Sequence, residues 1–141
     1  MKPTRFFLDT AFVQALLNKN DQYHRIAQSR LSELRTAQEV WTTEAILIEI
    51  GNALSAAHRA AAVRFITQCY ATPNLHVVPV DTGLLNRGLG LYDQRTDKEW
   101  GLTDCISFVV MSDQNLTDAM TTDRHFIQAG FRVLMRESEN E

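Results

Sequence analysis

The sequence predicts an α/β fold with a mainly parallel central sheet, and three observations support this prediction. Short β-branched runs alternate with stretches whose apolar residues recur at helical spacing. The chain has 141 residues, which is enough for one hydrophobic core. Hydrophobic residues make up 45% and charged residues 22%, as in ordinary globular proteins. We therefore expect one domain over residues 1–136, with helices on both faces of the sheet, and a disordered tail at 137–141.

The elements can be assigned in chain order from apolar periodicity and capping residues. The first is a buried strand, an apolar run from Arg5 to Leu8 that stops at the acid Asp9. Three of the helices have predicted N-caps, which are Asp21, then Thr42 or Thr43, and then Asp81. The other elements are helices at 11–17, 21–38, 44–57, 58–70, 81–92, 102–112 and 125–129, strands at 40–42, 75–80 and 119–122, and an edge strand at 131–135.

Charge and composition restrict the classes of function. The formal net charge is −3, which argues against a protein that binds nucleic acid through basic residues alone. Acids grouped around bound cations would weaken that objection, because the ions reverse the local sign. Cys69 and Cys105 lack the spacing of metal ligands, and we interpret them as reduced thiols. No apolar run approaches the roughly 18 residues of a membrane span, so we expect a cytoplasmic protein.

Two acids follow predicted strands. Asp9 comes directly after the first strand, and Asp123 follows the strand at 119–122. In open parallel sheets, ligands bind beyond the carboxyl ends of the strands. Either acid can equally be explained as a helix N-cap.

Two further acids lie on predicted helices. Glu49 borders the apolar stripe of the helix at 44–57, so we expect a well-covered carboxylate that needs a base or a metal. A functional and a structural role for Glu49 are evenly balanced. Asp104 lies in the first turn of the strongly apolar helix at 102–112. It either complements the helix dipole or faces a cavity at one end of the sheet.

All four acids can be placed at one edge of the sheet. Four carboxylates grouped without cations would repel one another, raise some of their pKa values and destabilise the fold. Hard divalent cations remove that repulsion, and an oxygen-rich site suits Mg²⁺ or Mn²⁺. The sequence therefore predicts a magnesium or manganese site formed by Asp9, Glu49, Asp104 and Asp123.

Four segments together resemble the PIN-domain nucleases, and most closely the VapC-type toxins of prokaryotic type II toxin–antitoxin pairs. Each segment alone is a weak signal, whereas all four in order at similar intervals are a strong one. The resemblance extends to about Leu134. The segments are Phe-Leu-Asp-Thr at 7–10, Thr-Glu-Ala-Ile-Leu-Ile-Glu-Ile at 43–50, Leu-Thr-Asp-Cys-Ile-Ser at 102–107 and Thr-Thr-Asp-Arg-His-Phe at 121–126.

This resemblance implies a three-layer α/β/α sandwich and a metal-dependent endoribonuclease. By the same resemblance, Asp9, Glu49 and Asp104 match the first three metal-binding acids, and Asp123 matches a fourth that often acts through water. The implied partners are an RNA substrate, an antitoxin protein and a second copy of the chain. Supporting hydroxyl groups are expected from Thr10, Ser107 and Thr121.

The candidate RNA contacts flank the acids in sequence. We rank Lys98 and Arg124 first, although a solvated surface base is the better explanation of each one taken alone. Trp100 has two interpretations, a base-stacking residue or a core or interface residue. Asp97 is either a fifth acid or a loop residue, and we favour the loop. Two other functions stay open, a PIN-fold binding module without catalysis and a stand-alone RNA-processing nuclease.

Overall fold

A computed structural model describes residues 4–136 of the chain. Five strands and seven helices alternate along this part, close to the predicted order. The predicted tail at 137–141 lies outside the described residues. The elements are β1 (Arg5–Leu8), α1 (Thr10–Leu17), α2 (His24–Thr36), β2 (Glu39–Thr43), α3 (Glu44–Ala53), α4 (Arg59–Ala71), β3 (Leu75–Val78), α5 (Thr82–Gln94), α6 (Leu102–Asp113), β4 (Asp118–Met120), α7 (Arg124–Gln128) and β5 (Arg132–Val133).

The five strands form one parallel sheet in the order β3-β2-β1-β4-β5. This confirms the predicted α/β/α architecture and the edge position of β5. The chain extends from β1 towards β3 on one side and then crosses to β4 and β5 on the other. The direction of winding therefore reverses between the neighbouring strands β1 and β4. In doubly wound sheets, a crevice opens at the carboxyl ends of the strands where the order reverses, and ligands bind there.

The core lies on the central strands and the helices packed against them. Phe7 of β1 and Phe126 of α7 are fully buried, with ring centroids 6.1 Å apart. Phe108 of α6 meets Phe126 edge-on at 5.0 Å. These contacts anchor α6 and α7 to the sheet beside the carboxyl ends of β1 and β4. No helix within residues 4–136 is long and apolar enough to cross a membrane.

Two of the predicted helix caps are confirmed. The Thr43 hydroxyl accepts a hydrogen bond from the Ile46 amide at the start of α3. The Asp81 carboxylate accepts one from the Leu84 amide at the start of α5.

Several predicted boundaries are wrong by a few residues, including the ends of β4 and β5, and three of them show why. Asp21 does not cap α2, because its carboxylate accepts from the Tyr23 amide and closes a turn ahead of the helix. Helix α3 ends at Ala53 instead of residue 57, and the Ser55 hydroxyl in the turn that follows donates back to the Asn52 carbonyl of the last helical turn. Strand β3 ends at Val78, before Pro79, which has no amide hydrogen to donate.

Candidate metal centre

Asp9 is buried at the carboxyl end of β1. It is 5% exposed, and its Oδ2 accepts a hydrogen bond of 2.7 Å from the Thr121 hydroxyl, which follows β4. Asp9 occupies the N-cap position of α1, but its side chain makes no capping bond to the helix. The interpretation of Asp9 as a helix cap is therefore wrong.

The pKa of Asp9 is raised to about 7, mainly by burial. The charges of Asp104 and Asp123 contribute to this rise, while the hydrogen bonds from the Thr121 side chain and the Thr10 backbone oppose it. Both acids therefore act electrostatically on Asp9, as expected for carboxylates grouped in one pocket.

Asp104 lies in the first turn of α6 and points towards α7. Its Oδ2 accepts from the Gly101 amide at 3.1 Å and lies 2.9 Å from Nδ1 of His125. Burial raises the pKa of the Asp104 carboxyl, and the hydrogen bond with His125 opposes that shift. The Asp104 carboxylate thus binds the amide at the start of its own helix, α6, and also contacts His125 of α7.

Asp123 caps α7 and also belongs to the same group of side chains. Its Oδ1 accepts from the His125 amide at 2.8 Å, and its own amide donates to the Thr121 hydroxyl at 3.0 Å. A ligand atom from each of Asp104, Asp123 and His125 lies within 4.8 Å of the other two. Asp123 is therefore confirmed as the cap of α7, and it also belongs to the cluster formed by Asp104, Asp123 and His125.

Glu49 does not have the environment that the sequence predicted. The side chain is exposed on α3, next to Ile48, which is 65% exposed, so the expectation of a covered carboxylate is wrong. The apolar stripe of α3 is narrower than the run of apolar residues in its sequence. The hydroxyl of Thr10, the residue after Asp9, donates to Glu49 Oε1 at 2.6 Å.

His125 was not identified as a site residue in the sequence. Its Nδ1 lies 2.9 Å from Asp104 Oδ2 and 3.5 Å from Asp123 Oδ1. The available signal was its position two residues after a capping acid, where the first turn of α7 brings its amide back to Asp123. The contact between His125 and Asp104 joins two different segments of the chain, so no pattern of neighbouring residues predicts it.

The three predicted supporting hydroxyl groups are all buried. Thr121 joins Asp9 to the amide of Asp123, and Thr10 binds Glu49. Ser107 donates to the carbonyl of Thr103 within α6.

Trp100 belongs to the core. It is 6% exposed, meets Phe108 edge-on at 4.9 Å, and donates from Nε1 to Gln128. The guanidinium carbon of Arg95 lies 4.8 Å from the centroid of the Trp100 ring. The base-stacking interpretation of Trp100 is therefore wrong, because its faces are already covered.

Asp97 is a loop residue, as favoured from the sequence. It makes two hydrogen bonds with the Arg95 guanidinium, at 2.9 and 3.0 Å. These bonds lower the pKa of Asp97 to about 2. Arg124 is exposed and Lys98 is partly exposed, so both can be reached by a ligand.

A divalent cation fits this group of donors. Asp104 and Asp123 supply hard oxygen atoms that lie close together, and Asp9 supplies another at the carboxyl end of β1, where the sheet reverses its winding. Burial and mutual repulsion disfavour the ionised form of Asp9, and a bound cation would offset both effects.

The comparison with solved structures decides the fold family. Mycobacterium tuberculosis VapC20, a toxin that cleaves the sarcin–ricin loop, superimposes with a TM-score of 0.80 and 25% sequence identity. The match covers 89% of this chain and 95% of that chain. The chain has the fold of a VapC-type PIN domain. No protein-family model matches the chain, and no curated protein matches it. The VapC-type resemblance found in the four sequence segments is thus confirmed by the fold of the described residues.

Proposed function

We propose that this VapC-type PIN domain is an endoribonuclease that depends on a divalent metal ion. The observation that carries the proposal is the group formed by Asp104, Asp123 and His125, whose ligand atoms lie within 4.8 Å of one another, with Asp9 joined to the Asp123 amide through Thr121. Burial and neighbouring acids raise the pKa of Asp9 and of Asp104, and stability alone explains such positions poorly. A role in binding a cation explains it.

Asp9, Asp104 and Asp123 are the residues that would bind Mg²⁺ or Mn²⁺. When bound, such an ion lowers the pKa of a water molecule and neutralises charge that develops on the RNA phosphate. Thr121 orients Asp9 by a 2.7 Å hydrogen bond. Glu49, which is oriented by Thr10 at the exposed side, is available to a water molecule or to the substrate.

The chain contacts RNA beside this cluster. Lys98 and Arg124 flank the acids in sequence, and their exposure suits contact with phosphates. A net charge of −3 makes metal ions the main source of attraction at the site itself.

We also propose that the chain is the toxin of a toxin–antitoxin pair that works in the cytoplasm, as a homodimer bound by an antitoxin. The support is the structural match to VapC20 over nearly all of both chains. The sarcin–ricin loop that VapC20 cleaves is therefore the first RNA to test, alongside messenger and transfer RNA.

Cleavage of RNA with and without metal tests the enzymatic part. We expect activity with Mg²⁺ or Mn²⁺, loss of activity in excess EDTA, and a drop of at least about 100-fold in Asp104→Asn, since metal activation of water is lost. Asp113→Asn is the matched control, because Asp113 lies on the same helix and pairs with Arg87 at the surface. Full cleavage in EDTA would contradict metal dependence. RNA binding without cleavage would favour a binding module.

Growth on expression tests the toxin part. We expect arrest with the unmodified chain and normal growth with Asp104→Asn at equal protein level. Rescue by the protein encoded next to it would identify the antitoxin. Normal growth with an RNA-cleaving protein would favour a stand-alone processing nuclease.

A further inference from the structure

His125 has the geometry of a metal ligand within the candidate centre. Its Nδ1 faces two carboxylates, at 2.9 Å from Asp104 Oδ2 and 3.5 Å from Asp123 Oδ1. In an octahedral complex with bonds of about 2.0–2.1 Å, ligands at right angles lie about 2.9 Å apart. The contact with Asp104 has this spacing, and the contact with Asp123 exceeds it by a few tenths of an ångström. One ligand atom from each of the three side chains lies within 4.8 Å of the other two, so one ion can bind all three after the side chains move closer together.

The fold keeps the His125 ring at this place. The His125 amide donates to Asp123, which is itself fixed by Thr121. The next residue, Phe126, is fully buried and packs against Phe7 and Phe108. His125 is thus anchored on both sides, and ordering its ring on metal binding costs little entropy.

We propose that His125 binds the metal ion through Nδ1, which makes the centre selective for Mn²⁺ over Mg²⁺. This inference rests on the proposed metal-dependent function and specifies the ion. A neutral imidazole nitrogen is a better ligand for first-row transition metals than for Mg²⁺, which prefers oxygen. An ionised Asp104 can only accept from Nδ1, so Nδ1 carries a proton in the metal-free contact. Metal binding through Nδ1 releases that proton to water, and the neutral bound ring carries its single proton on Nε2.

Pulsed electron paramagnetic resonance of bound Mn²⁺ tests the proposal directly. We expect the ¹⁴N coupling of a coordinated imidazole in the unmodified protein and in the control His58→Gln, since His58 is the residue before α4. We expect no such coupling in His125→Gln. Labelling of the unmodified protein with ¹⁵N-histidine should replace the ¹⁴N coupling by a ¹⁵N coupling. This experiment uses no variant, so its result does not depend on whether a variant folds.

Affinity for the two metals gives a second readout. We expect His125→Gln to lower Mn²⁺ affinity by about 10-fold or more, since even indirect ligand contacts have effects of this size. Mg²⁺ affinity should change less, so the Mn²⁺/Mg²⁺ affinity ratio should fall.

The outcomes separate this inference from the proposed function. Bound Mn²⁺ without nitrogen coupling, or with coupling that persists in His125→Gln, would overturn the role of His125 and leave the nuclease proposal intact. Absence of Mn²⁺ binding to the unmodified protein, with RNA cleavage unaffected by EDTA, would overturn both.

Discussion

Asp9 occupies a position that is unfavourable for a charge. Its carboxyl group is 5% exposed and lies near two other acids, so burial and repulsion both favour its protonated form. The hydrogen bonds from the Thr121 side chain and the Thr10 backbone only partly offset these effects. The metal-free protein should therefore become less stable as Asp9 ionises.

The pH dependence of stability tests this statement about Asp9. Its pKa is about 7 in the folded protein and 3.8 as the ordinary value, so between these values the folded state keeps a proton that the unfolded chain loses. The contribution of Asp9 to the free energy of unfolding is fully present below pH 4. It falls by up to about 4 kcal/mol as the pH rises through 7. Asp9→Asn should escape this loss. Urea unfolding in EDTA at pH 4, 6 and 8 measures it, and parallel curves for the two proteins would refute it.

At the scale of elements, the packing of α5 against α6 positions Asp104. Gly88 of α5 is buried against Ile106, two residues after Asp104. A Cβ atom at position 88 would lie 2.6 Å from Ile106 Cγ1, which is closer than real Cβ contacts allow. The absence of a side chain at Gly88 therefore sets the distance between the two helices.

Two glycines of α5 provide a matched pair of substitutions. Gly88→Ala should destabilise the protein by about 1–3 kcal/mol, because the added methyl group overpacks the contact with Ile106. Gly90→Ala meets nothing within 4 Å and should stabilise the helix by up to about 1 kcal/mol. Thermal unfolding of both variants in EDTA measures the difference. Equal stability of the two variants would show that α5 and α6 are not closely packed at Gly88.

For the whole molecule, the net charge and the grouping of acids lead to the same expectation. A protein of net charge −3 with a buried Asp9 and two partly buried acids at one edge of its sheet gains stability from a cation that binds only the folded state.

We expect Mn²⁺ to raise the melting temperature of the unmodified protein. At 100 times the dissociation constant, the free energy of unfolding should rise by about 2.7 kcal/mol. The shift should be smaller in Asp9→Asn and unchanged in Asp113→Asn, which alters only a surface pair with Arg87. Scanning calorimetry measures the shift, and its absence in the unmodified protein would contradict the presence of a metal centre.

Much of the fold could be predicted from local patterns. The apolar run before Asp9 identified a buried strand, and Thr43 and Asp81 identified helix starts. The error at Asp21 arose because its carboxylate bonds to the turn before α2 instead of to the helix. The error at the end of α3 arose where the Ser55 hydroxyl bonds back to the Asn52 carbonyl in the last helical turn. Such competition between turn and helix depends on small energy differences that apolar periodicity does not report.

The sequence by itself determined the order of strands and helices and the identity of the acids that follow β1 and β4, because period, capping and strand ends are local properties. Only the tertiary structure decided the contact of His125 with Asp104 and the exposure of Glu49. Both depend on the relative positions of segments far apart in the chain. The physical reason is that a side chain's environment is set by packing across the sheet, which no single segment encodes.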